Sequence, residues 1–418
     1  MKFAHASDLH FAPKTLEEVR PCFSVFVETA IAEECDVAVI SGDLFDHRVD
    51  LHAPAVSCLF QLVARLADHM PVLILQGTYS HDVPGSLDVF RTIGVRFPVY
   101  VADKIQQVAL TFSNDKTQCF WRPSEGRNLG KVQFEGFVHP TDVLFSCLPP
   151  VNKSVVAATA GTDNVAFAAG EHVAAVLEGW AENNLRARAA GIPTVVVTHG
   201  TVHGCVTEHG VPMAGLDHEY TTGALFASQA SAILVGHIHK HQSWKNPIDA
   251  GCYQTIAYPG SIGRLHFGEL DPKGFLIWEI TAERSLFEFR ETPAKRLLEK
   301  TFEGIPTEFE LAALARDAAG AHVRIRYTVD EENRSAVDKE AIVAMFKHAG
   351  ALKLEGTIKP IQRTRSEGMN RASSLREKLD KWCGVTSVAA GPLVERLDLL
   401  QQKDPADIVR NLSREQSS

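Results

Sequence analysis

The chain has 418 residues, more than one compact core usually accommodates, so two domains or more are expected. Hydrophobic residues make up 45% and charged residues 22%, as in an ordinary soluble globular protein. The net charge of -9 excludes binding to nucleic acid through overall basicity, but local Lys/Arg patches and bound divalent cations can still overcome a negative total. The eight cysteines are scattered and none forms a C-x-x-C pair, which argues against a thiolate zinc site and a disulfide framework and fits a reducing cytosol. The N-terminus MKFAHASDLH carries no long apolar stretch, and no apolar run approaches ~18 residues. No signal peptide or membrane span is therefore expected, and a cytoplasmic location is.

Along the chain, strand-like and helix-like segments alternate. Lys2–Ala6 predicts a strand, Leu16–Glu33 a helix, Val37–Ser41 a strand, Ala53–Asp68 a helix, Pro71–Gln76 a strand and Leu87–Thr92 a short helix. Val99–Pro149 reads as short strands with turn signals such as SND and SEGR. A helix is predicted over His172–Ala190, then strands at TVVVT (194–198) and AILVG (232–236), and a β-rich close at QTIAYPGS and KGFLIWEI. Such alternation predicts an α/β architecture. RETPAKRLLE (290–299) reads as a crossing into a second domain, where HVRIRYTV (322–329) is strand-like, Val337–His348 helix-like and Ala351–Lys359 strand-like. The last fifty residues are polar with helical apolar spacing at Leu393, Leu397, Leu400, Ile408 and Leu412.

Five short motifs fall at the C-terminal ends of predicted strands: S-D-L-H (7–10), S-G-D-L-F-D (41–46), S-H-D (80–82), T-H-G (198–200) and G-H-I-H (236–239). Ligands bind at that edge of an α/β sheet. The motifs deliver Asp8, His10, Asp43, His199, His237 and His239 to one rim. These nitrogen and oxygen donors suit divalent Mn, Fe or Zn, and six of them exceed what one ion needs. The simplest reading is a pair of ions sharing Asp43 as the bridge. Two ions ~3.5–4 Å apart activate a water and stabilise both oxygens of a displacement at phosphorus, so phosphoester hydrolysis is the reaction expected. His81 is the candidate to assist the leaving alkoxide, with Asp82 orienting its imidazole.

The ordered set D-L-H, G-D-L-F-D, S-H-D, T-H-G and G-H-I-H resembles the calcineurin-like metallophosphoesterase superfamily. Within it, HASDLHF, ISGDLFD, VGHIHKHQ and YPGSIGRLHFGE-x-x-x-KGF resemble the SbcD-type DNA repair exonucleases. The resemblance covers residues 1 to 290 well, and 291 to 360 as a capping domain. It implies a four-layer αββα sandwich over 1–290 and a small α/β capping domain over 291–365; it hardly reaches the helical tail over 366–418, whose apolar spacing reads as ordinary packing or as a partner- or DNA-binding helix. It implies that Asp8, His10, Asp43 and His239 hold one ion, that Asp43, the Asn-slot residue, His199 and His237 hold the other, and that His81 is catalytic. The implied cofactor is a pair of Mn2+ ions, with Fe2+ or Zn2+ as substitutes. The implied partners are DNA and an SbcC-like coiled-coil ATPase of the SMC family, with a homodimer left open.

The sequence departs from the family pattern in two places. Asp46 stands where many relatives place a second His. In the 76–85 loop the usual G-N-H-D is replaced by G-T-Y-S-H-D. Fixing the register on His81-Asp82 puts Ser80 in the Asn slot, whereas fixing it on Gly77 puts Thr78 there and Tyr79 in the His slot. The first keeps a titratable histidine and is preferred; Ser80, Thr78 or a water is left to replace the amide oxygen, and the second ion is expected to bind more weakly. Among the remaining histidines, His5 reads as a core residue. His203, His209 and His218 read as surface or supporting residues, His241 as the one most inclined to the rim, and His47 as an approach to phosphate. The basic run that includes Arg363, Arg365 and Arg371 reads as a solvated face, a DNA track or an ATPase-docking surface. The favoured expectation is a metal-dependent DNA nuclease. The alternatives are a phosphoesterase for small molecules or phosphoproteins, and a scaffold inactivated by the altered loop.

Overall fold

The computed structural model describes residues 1–48, 50, 52–124, 132–134, 137–139, 141–151, 165–207, 219–249, 252–330, 336–361, 372, 374–404 and 407. It divides into two compact units, Met1–Leu297 and Leu298–Ser418. Among the described residues no helix is long and apolar enough to cross a membrane.

In the first unit, short apolar runs pair as parallel strands. Phe3 lies opposite Val37 and Ala38 opposite Val72, which sets Lys2–Ala6, Val37–Ile40 and Val72–Leu75 side by side. Val99–Ala102 continues this six-stranded sheet on one side, and the antiparallel strands Gly274–Ile280 and Ser285–Glu291 complete it on the other. A seven-stranded sheet runs in the order Gln242–Asp249, Cys252–Tyr258, Ala232–Gly236, Thr194–His199, Val143–Leu148, Gln106–Phe112, Cys119–Pro123.

Strand alternation sorts side chains into three apolar layers. Ala4, Ala6, Ala38, Ile40, Val72 and Ile74 face the helices Leu16–Ala32 and Pro54–Ala67. Phe3, Val37, Val39, Leu73 and Leu75 face the other way, and meet Phe145, Val195, Val197 and Leu234 between the two sheets. Val196, Ile233 and Val235 lie beyond, against Val173, Leu177 and Leu225 of the helices Val165–Gly179 and Thr222–Ala227. The order is therefore helices, sheet, sheet, helices, which is the four-layer sandwich expected. Burial on both faces explains why its parallel strands read as unbroken apolar runs. Two local readings change. The helix expected over His172–Ala190 is two helices, Val165–Gly179 and Ala181–Ala189, parted at the poor helix former Gly179. The short helix near Leu87 is a 3-10 turn over Ser86–Thr92.

The second unit has its own core. Ala321–Asp330 buries every second residue, so that Val323, Ile325, Tyr327 and Val329 pack with Phe302, Leu311 and Phe346. Its three-stranded sheet runs Arg296–Glu303, Ala321–Asp330, Lys353–Ile361, with the last two parallel. Thr307 caps the helix Glu308–Ala315 in a reciprocal box with Glu310, and Asp338 caps Lys339–His348. Among the described residues, the helices Leu375–Thr386 and Ala390–Gln402 follow in the tail. Arg363, Arg365, Arg371, Ile408 and Leu412 lie outside the described residues, as do His209 and His218.

Candidate metal centre

Each expected donor sits just past, or at, the C-terminal end of a parallel strand. Asp8 and His10 follow Lys2–Ala6, Asp43 follows Val37–Ile40, His199 ends Thr194–His199, and His237 and His239 follow Ala232–Gly236. The backbone leaves these strands through left-handed torsions that side chains rarely adopt: φ is 52° at Asp8, 49° at His10, 53° at Asp43 and 103° at His237. Backbone bonds hold the turns in place. Asp8 N–H donates to the Gly42 carbonyl at 3.1 Å, and His10 N–H to the Asp43 carbonyl at 3.0 Å. His237 N–H donates to Asp8 Oδ2 at 2.9 Å. Gly77 and Gly236 permit the close approach of the loops. A Cβ on Gly77 would overlap the Asp43 backbone nitrogen and carboxylate, and one on Gly236 would overlap the Ser41 carbonyl and Ser7 hydroxyl.

The six residues form two donor groups, Asp8–His10–His239 and Asp43–His199–His237, each compact enough to hold a cation. In the first, His10 Nε2 and His239 Nε2 face each other at 3.1 Å, and lie 3.9 Å and 3.8 Å from Asp8 Oδ1. In the second, His199 Nε2 is 3.3 Å from Asp43 Oδ1, off the hydrogen-bond line. Asp8 Oδ1 and His199 Nε2 are buried with no hydrogen-bond partner. Buried polar atoms are normally satisfied, so an unpaired one in each donor group marks a place for something that binds it. Two divalent cations fit these nitrogen and carboxylate donors.

The 76–85 loop differs from the sequence expectation in two residues. Ser80, expected in the Asn slot, is exposed. Thr78 takes the inward position instead, its backbone N–H and its hydroxyl both donating to Asp43 Oδ1 at 2.7 Å. Asp82 does not orient the His81 imidazole. It is fully buried and its carboxylate accepts from Leu44 N–H at 3.0 Å, Phe45 N–H at 3.3 Å and Gly77 N–H at 2.9 Å, stapling the Asp43 loop to this one. The Asp46 carbonyl orients His81 by accepting from its Nδ1. The His81 ring stands edge-on to His10 at 4.7 Å between centroids. Asp46, the other departure from the family pattern, pairs with Lys14 at 2.7 Å and with His47 at 3.1 Å, and groups with His10 and His81.

Electrostatics act donor by donor: burial would lower His239 of the first group, but its Glu269 hydrogen bond and the Asp8 charge outweigh burial and raise it. Burial, reinforced by His239, pushes the His10 imidazole down to about 3, so it is neutral and able to ligate. Burial would also depress His199, but the Asp43 charge overcomes it and holds that imidazole up to about 9. The Asp43 carboxyl falls below its usual range despite burial, because His199 and His10 stand beside it. Burial pushes the Asp82 carboxyl up to about 7, aided by Asp43 and opposed by its three backbone N–H donors.

Sequence reasoning assigned no role to Glu269 and Lys273, although both lie in the quoted FGE-x-x-x-KGF block. Both are buried beside His239. Glu269 Oε1 accepts from His239 Nδ1 at 2.8 Å, and Lys273 Nζ donates to the His239 carbonyl at 2.8 Å. Tyr258 Oη donates to the Gly200 carbonyl at 2.6 Å and accepts from Val202 N–H at 2.8 Å, steadying the His199 loop. His5 is a core residue with Nε2 on Ser41 Oγ at 2.8 Å. His241 stacks on Phe289 and bonds the Tyr258 carbonyl through Nδ1, so it serves packing rather than the rim.

The crystal structure of a dimetal phosphatase from Danio rerio aligns with the chain at 9% identity and a TM-score of 0.35, covering 69% of this chain and 98% of that one. No curated protein matches the chain. The calcineurin-like phosphoesterase family model matches residues 1–241, which span every donor of both groups. With that match over more than half its length, this chain belongs to the calcineurin-like phosphoesterase family.

Proposed function

We propose that the chain is the nuclease subunit of an SbcD-type complex, which hydrolyses phosphodiester bonds of DNA with two Mn2+ ions and works with an SbcC-like coiled-coil ATPase. Family membership supports phosphoester hydrolysis in general. The observation that carries the nuclease reading is the segment from Tyr258 to Phe275. Its YPGSIGRLHFGE-x-x-x-KGF resembles the SbcD-type pattern, and it supplies Ser261, Glu269 and Lys273 to the support of the last donor histidine.

Bound divalent cations supply Lewis acidity at a phosphoryl oxygen and an activated water. The chain supplies the frame. Asp8, His10 and His239 present one set of lone pairs, and Asp43, His199 and His237 the other. Asp43 lies against His199 and draws a second contact from Thr78, which fixes the orientation of its carboxylate. His81 donates Nδ1–H to the Asp46 carbonyl, so Nε2 is the ring nitrogen left for substrate; in the imidazolium form Nε2 carries the proton that passes to the departing 3'-oxygen, leaving the neutral ring.

The test is hydrolysis of linear double-stranded DNA, single-stranded DNA and a chromogenic phosphodiester by purified protein with Mn2+, beside His81→Ala. DNA cleavage that His81→Ala reduces by about 10²–10⁴-fold in kcat is expected. Turnover of the small diester alone, unchanged when the ATPase is added, would replace the nuclease reading with a small-substrate phosphoesterase. Full activity in His81→Ala would remove the assigned role of that residue.

A further inference from the structure

We propose that Glu269 and Lys273 are positioning residues: a buried carboxylate–ammonium pair that locks the ring and the backbone of His239 and aims its Nε2 at Asp8 and His10. The inference rests on the reading of Asp8, His10 and His239 as a cation site. His239 lies outside its strand, which ends at Gly236, so the sheet alone does not fix it. Four contacts do. The Glu269 carboxylate can only accept, so its 2.8 Å contact with Nδ1 places the proton there and leaves the lone pair on Nε2. That Nε2 is the atom facing His10 Nε2 at 3.1 Å. On the backbone side, Lys273 Nζ at 2.8 Å and Ser261 N–H at 3.2 Å both donate to the His239 carbonyl. At Gly260, a Cβ would lie 2.8 Å from that same carbonyl oxygen, so the segment can pass only as glycine.

The pair is itself anchored. Glu269 Oε2 accepts from Leu265 N–H at 2.8 Å and lies 3.3 Å from Lys273 Nζ. The Arg264 guanidinium donates to the carbonyls of Glu269 at 2.9 Å and Lys295 at 2.8 Å. Stability is a weak explanation for this arrangement, because a buried ion pair is often matched or exceeded by apolar residues of similar volume. Directing a ligand is a better one. A metal-bound histidine usually donates its other nitrogen to a carboxylate or carbonyl, and loss of such a partner costs about 10–100-fold in metal affinity.

The experiment titrates Mn2+ into chelator-stripped full-length protein by calorimetry, with the electron paramagnetic resonance spectrum of the coupled Mn pair as a second readout and melting of the metal-free protein as a control. The parent is expected to bind two ions. Glu269→Ala is expected to weaken one of them by about 10–100-fold and leave the other at parental affinity. The coupled-pair spectrum is expected to vanish at Mn2+ concentrations that fill both sites in the parent. Glu269→Gln keeps an acceptor oxygen for Nδ1 and is expected to recover part of the loss, and Lys273→Met to lose less than Glu269→Ala. Parental affinity for both ions in Glu269→Ala overturns the proposal. If that variant fails to fold, Glu269→Gln and the charge-balanced Glu269→Gln/Lys273→Met pair decide by the same criterion. A parent that binds fewer than two ions removes the underlying site reading and the proposal with it, an outcome distinct from two ions bound equally well by parent and variants.

Discussion

The two donor groups share a rim but are built in different ways. Asp8–His10–His239 is arranged by side chains: two imidazoles converge, one fixed by the Glu269–Lys273 pair, with the left-handed turn at Asp8 and His10 beneath. Asp43–His199–His237 is arranged mostly by main chain. The Ser41 carbonyl accepts from His199 Nδ1 at 2.7 Å, and a backbone N–H of the 76–85 loop reaches Asp43. Protonation differs among individual donors. His10 is neutral at any ordinary pH, whereas His199 holds a proton against Asp43 until about 9. A cation entering either group must therefore displace a proton, from His199 in the second and from His239, which is raised as well, in the first.

Asp43→Asn should collapse the comparison outright, because Asp43 contacts His199 and its main chain also bonds the His10 loop. Turnover on every phosphoester substrate is expected to fall below detection, with Mn2+ stoichiometry reduced in the same sample. Varying pH should sharpen it. Below the raised pKa of about 9, His199 is protonated and must lose that proton to ligate. Affinity at the second group is therefore expected to climb with pH by up to about tenfold per unit between 6 and 9. Calorimetry in buffers of different ionisation enthalpy reads the released proton, and an affinity at the second group that does not change over this range would contradict the raised His199. The finest probe is Thr78→Val, which keeps shape and deletes the hydroxyl on Asp43. A charge-assisted hydrogen bond is worth about 1.5–3 kcal/mol, so Mn2+ binding at the second group is expected to weaken by about tenfold. Ser80→Ala, at an exposed position, is expected to change nothing.

Most of the rim was legible in the sequence because a parallel sheet buried on both faces reads as unbroken apolar runs, and the donors stand directly at their ends. The runs VAVI before S-G-D and AILVG before H-I-H placed Asp43 and His237 without knowledge of their neighbours. Inside the 76–85 loop no periodicity operates. Its register is set by backbone N–H groups reaching the Asp82 carboxylate, so whether Thr78 or Ser80 turned inward could not be read from residue type. The same bonds explain why Asp82 was given the wrong partner: adjacency to His81 in sequence suggested a contact that the turn directs elsewhere. Glu269 lies thirty residues beyond His239, and only the pairing of strand Gly274–Ile280 beside Lys2–Ala6 brings that loop back to the rim.

The donors come from both halves of the sandwich: Asp8, His10 and Asp43 leave the six-stranded sheet, while His199, His237 and His239 leave the seven-stranded one. Cations held among them act as a clasp across the seam, bound only while the two sheets keep their alignment. Metal occupancy and folding are then linked quantities. A ligand that binds only the native state adds about 2.7 kcal/mol at a hundredfold excess over its Kd, an appreciable share of a typical domain's total. The heat resistance of the first unit thus becomes a function of free metal concentration, while the second unit, with its separate core, carries no such dependence through this clasp.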